Sequence, residues 1–351
     1  MSSLDWLSHA VTTPDERLLQ DAREYQLQLT KPPGSLGRLE DIAVRLSAMQ
    51  GTKAIKLDKV HITVFAADHG IAEEGVSAFP QVVTTEMIKN FARGGAAISV
   101  MAKELGASLE VVDVGSVTPA GDLPGVVDNR VAAGTANMAK QAAMSETQLA
   151  EALAVGKAAV QRGIEQGMQL FIAGDMGIAN TSAATAIACA ILKQDAVTLA
   201  GPGTGLDQDG VKHKATVIQS ALQRHAADMK NPEDILRCVG GFEIAAMCGA
   251  YLYCAQQGVP FIVDGFIASS AALMAVTLQA NVRDWLFMAH RSAEPGHKQM
   301  VEAIGVEPLL DLGMRLGEGS GAATAVPLLR MAVATHTRMA TFAEAGVSEK
   351  Q

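Results

Sequence analysis

Six times along this chain of 351 residues, a short and almost continuous apolar run gives way to a polar or glycine-rich turn. A stretch with helical spacing then follows. The runs cover residues 60–66, 109–114, 169–173, 196–200, 260–263 and 285–288. Strands that are apolar on both faces belong in a sheet covered on both sides, the environment of parallel strands joined by helices. The recurrence therefore predicts an α/β fold with a parallel, roughly six-stranded, doubly wound sheet. The turns after the runs are Asp68-His69-Gly70, residues 113–115, Gly174-Asp175-Met176-Gly177, Gly201-Pro202-Gly203-Thr204-Gly205, Asp264-Gly265 and His290-Arg291-Ser292. They fall at the carboxyl ends of the predicted strands, where open α/β sheets bind ligands.

The two ends of the chain read differently. Residues 15–29 and 36–49 carry apolar side chains at helical spacing, separated by the Lys31-Pro32-Pro33-Gly34 turn, and a last helix is expected over 322–345. These helices are expected to form a small helical domain from residues 1–50 and 322–351, leaving 51–321 as the large α/β domain. Apolar residues make up 49% and charged residues 19%, which suits a compact enzyme. Aromatics are only 4%, so the core must be aliphatic.

A net charge of −9 argues against a nucleic-acid partner, because phosphate backbones demand a basic face. The first fifteen residues lack the pattern of a secretory signal. The apolar stretches 182–192 and 269–278 are too short to span a bilayer. Cys189, Cys238, Cys248 and Cys254 lie in apolar segments without a CxxC pair and read as packing thiols in a reducing compartment. A soluble, cytoplasmic protein with no membrane partner is expected.

Three segments offer chemistry. Gly174 to Ser182 combines glycines with Asn180, Thr181 and Ser182 before an Ala-rich helix. It suits either a phosphate site at a helix N-terminus or an ordinary capped turn. Gly201 to Gly205 is similar, with Lys214 on the following helix as either an anion partner or a solvated side chain. Gly317-Glu318-Gly319-Ser320-Gly321 places a carboxylate between glycines ahead of an apolar helix. A glutamate there with little water around it would have a raised pKa, as a general base near neutral pH requires. The loop from His290 to His297 has neither HExxH spacing nor a Cys/His cluster, so it reads as a polar pocket lining and no metal is expected. A nicotinamide-dinucleotide enzyme would need G-x-G-x-x-G after its first strand, which is absent.

Taken together, these segments resemble the nicotinate-nucleotide–dimethylbenzimidazole phosphoribosyltransferase family of cobalamin synthesis. The blocks that carry the resemblance begin with Lys31-Pro32-Pro33-Gly34-Ser35-Leu36-Gly37-Arg38-Leu39-Glu40 and Ala67-Asp68-His69-Gly70 with Glu74-Gly75-Val76-Ser77. The Gly174 and Gly201 turns, Gly240-Gly241-Phe242-Glu243, Asp264-Gly265-Phe266, Ser292-Ala293-Glu294 and residues 315–321 complete them. The resemblance implies a homodimer with a Rossmann-like nucleotide- and base-binding domain. It places Glu318 as the catalytic base, and Gly177, Gly203, Lys214, Ser292 and Gly321 around phosphate and ribose. Phe79, Met87 and Leu316 fall where the family lines the base pocket. Asp175 stands where some members have glutamate and is the candidate for a secondary carboxylate.

The implied substrates are nicotinate mononucleotide and a benzimidazole, without a cofactor. Nicotinate leaves a cationic pyridinium as a neutral ring, so its departure needs no proton. The incoming benzimidazole must lose one, and a single base suffices. Back-side attack would invert the anomeric carbon and give α-ribazole 5'-phosphate. The alternatives are a subunit that binds nucleotide or base without turnover, and a homologue that prefers another benzimidazole-type base.

Overall fold

The computed structural model describes residues 4–348. Its centre is one parallel sheet of seven strands: β1 (Val60–Ala67), β2 (Ser108–Gly115), β3 (Val126–Asp128), β4 (Leu170–Met176), β5 (Phe261–Val263), β6 (Leu286–His290) and β7 (Pro308–Leu310). The spatial order is β3-β2-β1-β4-β5-β6-β7, with every neighbouring pair parallel. All eight residues of β1 are buried, the signature of a strand covered on both faces.

The covering helices are α1 (Glu16–Gln28), α2 (Arg38–Gln50), α3 (Val82–Ala92), α4 (Ala97–Leu105), α5 (Glu146–Glu165), α6 (Asn180–Leu192) and α7 (Ala196–Leu199). Beyond them come α8 (Gln208–His225), α9 (Pro232–Val239), α10 (Phe242–Gln256), α11 (Phe266–Leu278), α12 (His297–Ile304), α13 (Ser320–Arg338) and α14 (Phe342–Ala345). The apolar stretches near 182–192 and 269–278 are α6 and α11, both buried. Among the described residues no helix is long and apolar enough to cross a membrane. α5 meets α10 backbone to backbone, because a Cβ at Gly156 would lie 1.7 Å from the Ala246 carbonyl oxygen and one at Gly249 2.2 Å from that of Leu153.

Two expectations need correction. Residues 196–200 are not a strand: Ala196–Leu199 form the short helix α7, packed against α6 and α8. Four apolar residues in a row cannot by themselves separate a buried strand from a buried turn of helix. The sheet also has seven strands instead of six, because β3 and β7 occupy its edges. Each has only three residues, and neither contains a buried one, so neither shows a continuous apolar run.

At the chain ends, Asp15 caps α1 by accepting from the Leu18 N–H. α2 starts at Arg38 and not at 36, since Gly37 takes φ 52° just before it. The last expected helix divides into α13 and α14, with Thr341 opening the second through a capping box with Glu344. Gln26 and His336 bond side chain to side chain at 2.8 Å, and Thr30 N–H donates to the Ala340 carbonyl. Arg330 reaches the carbonyls of Leu57 and Leu105. α13 thus touches both α2 and the flank of the sheet at α4. The first three and last three residues of the expected helical domain lie outside the described residues.

Candidate active site

The neighbouring strands β4, β5 and β6 bring Asp175, Asp264 and His290 to their carboxyl ends, and α13 begins above them. The turn into α13 carries three consecutive left-handed residues: Gly317 at φ 87°, Glu318 at φ 65° and Gly319 at φ 87°. Glycine adopts this region freely, but for Glu318 it costs roughly 1–3 kcal/mol and persists only where the surroundings enforce it. The surroundings are visible. Ser320 donates to the Gly317 carbonyl through its N–H (3.0 Å) and its hydroxyl (2.7 Å). The buried Asp264 carboxylate accepts from the N–H groups of Gly319 (3.2 Å) and Ala322 (2.8 Å). Gly174 of β4 lies directly beneath, where any Cβ would meet the Glu318 carbonyl oxygen at 2.1 Å.

The Glu318 side chain is 6% exposed, and its Oε2 accepts from the Ile98 N–H at the start of α4, at 3.2 Å. Burial raises its pKa above the ordinary glutamate range. The Ile98 hydrogen bond works against that shift, and the nearby Asp264 charge adds to it. The result is a carboxyl group with raised proton affinity on a fixed turn.

Beside it is a cleft of about 60 Å³ bordered by Asp175, Asn180, Thr181, Gly203, Thr204, Gly265, Phe266, Ile267, His290, Ser292, Glu294, Arg315, Leu316 and Gly317. Asp175 accepts from Asn180 Nδ2 at 3.0 Å. Burial, then the charges of Asp264 and Glu243, push its pKa well above the usual range. Asp264 is raised too, by burial, with His290 3.8 Å away opposing the shift. Behind this corner, the buried His69 and Glu243 pair at 2.7 Å.

On the other side of the cleft, Lys214 is 1% exposed and donates from Nζ to Thr181 Oγ1 (2.6 Å) and the Gly201 carbonyl (3.1 Å). Burial pulls its pKa down to about 8, against the charge of Glu294. Arg315 donates to the Gly203 carbonyl at 3.0 Å. The Ser292 hydroxyl accepts from the Glu294 N–H (3.3 Å), while its own N–H donates to His297 Nδ1 (3.1 Å). Burial depresses the His297 pKa to about 3, so that ring is neutral and free to accept.

The sequence candidates therefore separate into groups. Asp175, Gly203, Ser292 and Leu316 border the cleft, with Glu318 next to it and Lys214 under the Gly201–Gly203 turn. Gly177 borders a smaller neighbouring cleft with Ser77 and Pro202, and its Cα backs onto Glu243 and His69. Gly321 does not border the cleft. It is buried where α13 presses on His290, and a Cβ there would come within 2.0 Å of that ring. Phe79 is 48% exposed on the loop before α3, and Met87 is half-buried on α3 itself, neither at the cleft. α3 joins the site through Thr84, whose hydroxyl accepts from the Ile178 N–H at 3.2 Å. Asp264 and Arg315 had no individual site role assigned from sequence and stood only within the blocks that carry the resemblance. Asn180 belonged to the candidate phosphate turn and His290 to the loop read as a polar pocket lining, and both border the cleft.

A family model described as Phosphoribosyltransferase matches residues 11–347. The nicotinate-nucleotide–dimethylbenzimidazole phosphoribosyltransferase of Pseudomonas putida is 56% identical over 345 residues, 98% of each chain. The protein of the same name from Pseudomonas aeruginosa is 56% identical over 348 residues, 99% of each chain. The crystal structure of CobT from Thermus thermophilus superposes with a TM-score of 0.92 at 44% identity, covering 95% of this chain and all of the other.

Proposed function

The chain belongs to the nicotinate-nucleotide–dimethylbenzimidazole phosphoribosyltransferase family, and within that activity we propose that Glu318 is the general base of a single inverting displacement. Ribose 5-phosphate passes from nicotinate mononucleotide to 5,6-dimethylbenzimidazole, giving α-ribazole 5'-phosphate and nicotinate. The observation that carries the assignment is the nearly buried Glu318 carboxyl, held on a fixed left-handed turn with its proton affinity raised. An ordinary exposed glutamate would be a poorer proton acceptor near neutral pH.

The attacking benzimidazole nitrogen bonds to the anomeric carbon as the bond to the nicotinate nitrogen breaks. Glu318 takes the proton from the second ring nitrogen, and the pyridinium charge is discharged by departure. Asp175, so close to Glu318 that their charges interact, is the secondary carboxylate, its proton affinity raised alongside that of Glu318. Lys214, with Gly177 and Gly203 at the two glycine turns, forms the phosphate side, and Ser292 the ribose side, with Gly321 behind it letting α13 close onto His290. Leu316 provides apolar surface for the base, with Phe79 and Met87 on the α3 side. The partner is a second copy of the chain, a homodimer, as the likeness to this family implies.

The test is Glu318→Gln, incubated with nicotinate mononucleotide and dimethylbenzimidazole, products separated by chromatography. Turnover should drop by about 10²-fold or more with nucleotide binding kept. Near-normal turnover would remove Glu318 from the mechanism, and a β-configured product would remove the inversion.

A further inference from the structure

The mechanism uses Glu318, and the turn that carries Glu318 is held from behind by a second carboxylate that the reaction itself does not require. Asp264 follows β5 directly and is fully buried. One oxygen accepts from the Gly319 N–H at 3.2 Å and the other from the Ala322 N–H at 2.8 Å, so both are committed to the start of α13. Among the described residues no lysine or arginine pairs with it; the basic group facing it is His290, at 3.8 Å. Gly321 is packed so closely that a Cβ there would lie 2.9 Å from Asp264 and 2.0 Å from His290. The first turn of α13 is therefore pressed onto this carboxylate, and just ahead of its Gly319 cap stands Glu318, left-handed between two left-handed glycines.

From this geometry we propose that Asp264 is a positioning residue for the transfer reaction: by receiving the Gly319 and Ala322 N–H groups, it locks the turn that presents the Glu318 carboxylate. The proposal rests on Glu318 being the base. An asparagine could not substitute, because it has one acceptor oxygen and would turn an NH₂ group toward a second N–H. The negative charge also has its own effect, since a like charge disfavours ionisation of Glu318 and makes it a stronger base. The other titratable groups around this corner are Asp175 at the end of β4, Glu243 at the start of α10 and His290 of β6.

Two variants of the full-length chain test this. Asp264→Asn should lower kcat by on the order of 10- to 10²-fold, the penalty of a misplaced catalytic group, with KM for nicotinate mononucleotide little changed. The acid limb of its kcat/KM–pH profile should move to lower pH, because Glu318 has lost a neighbouring charge. Asp264→Glu keeps the charge but displaces it by one methylene. It should lower kcat while leaving the acid limb in place, and it decides the matter alone if the asparagine variant does not fold. Unchanged kcat in Asp264→Glu, or an unmoved acid limb in a folded Asp264→Asn, overturns the proposal. Glu318→Gln in parallel separates the two readings. If it stays active, the base assignment falls and the positioning role with it; if it is inactive, an unmoved limb condemns Asp264 alone.

Discussion

A methyl group at position 174 would lie 2.1 Å from the carbonyl oxygen of Glu318 and 2.4 Å from its carbonyl carbon. Both are backbone atoms of a turn already constrained by Asp264 and Ser320, so neither can yield cheaply. The sequence suggested Gly174 as part of a phosphate turn, whereas the structure gives it a different task, admitting the Glu318 turn onto β4. Gly174→Ala should therefore destabilise the fold by about 1–3 kcal/mol, the usual range for overpacking. It should also depress turnover more than nucleotide binding. Urea unfolding alongside steady-state kinetics checks both. A variant that unfolds like the parent at full turnover would show that the turn is not clamped from below. Glu318 itself was legible because a carboxylate flanked by glycines before an apolar helix is unusual. Asp264 was legible only as a polar strand end, because one acidic residue after a strand looks the same whether it faces water or a helix N-terminus.

At the scale of elements, what could be read was whatever produced a long pattern. β1, β2 and β4 came from continuous apolar runs, and α1, α2 and α13 from helical spacing. Residues 196–200 misled because a buried helical turn and a buried strand share the same composition over four residues. β3 and β7 stayed hidden because three half-exposed residues at a sheet edge leave no run at all. Where no such run exists, a local cap can still mark where an element starts. α5 begins at Ser145, whose hydroxyl accepts from the Gln148 N–H while the Gln148 side chain accepts from the Ser145 N–H. α5 then buries one face against α10, and none of its residues borders the cleft. Ser145→Ala should remove about 1 kcal/mol of stability, within the usual range for a lost cap, and leave turnover untouched. Chemical denaturation with a parallel activity assay reads both. An unchanged unfolding midpoint would mean that packing on α10, and not the cap, fixes where α5 begins.

Across the whole molecule, the buried titratable groups set how stability responds to pH, and they do not all pull one way. Asp68, Asp113, Asp175, Asp264, Glu294 and Glu318 all have raised pKa values, with burial as the first cause of each. The folded chain holds their protons more tightly than the unfolded one. Their contribution is full below about pH 4 and is lost as pH rises through the raised values. His297, depressed to about 3, and His336, also lowered by burial, act oppositely: stability falls as pH drops from about 6.5 toward those values. Lys214, lowered to about 8, favours the fold increasingly between that pH and its unfolded value near 10.4. The interval from about pH 6.5 to 8 lies between the ranges of those histidines and of Lys214, so a fall in stability there comes from the buried carboxyls, among which Asp175 is pushed well above the ordinary range. The melting temperature should fall across that interval. Asp175→Asn keeps an oxygen for Asn180 and has no charge to lose, so it should melt higher than the parent at pH 8 and show a flatter profile. Scanning calorimetry of both chains at the two pH values decides it. A parent whose melting temperature stays level from pH 6.5 to 8 would mean that Asp175 is already ionised at the lower value. The acid corner beside Glu318 would then hold its charges together without any proton between them.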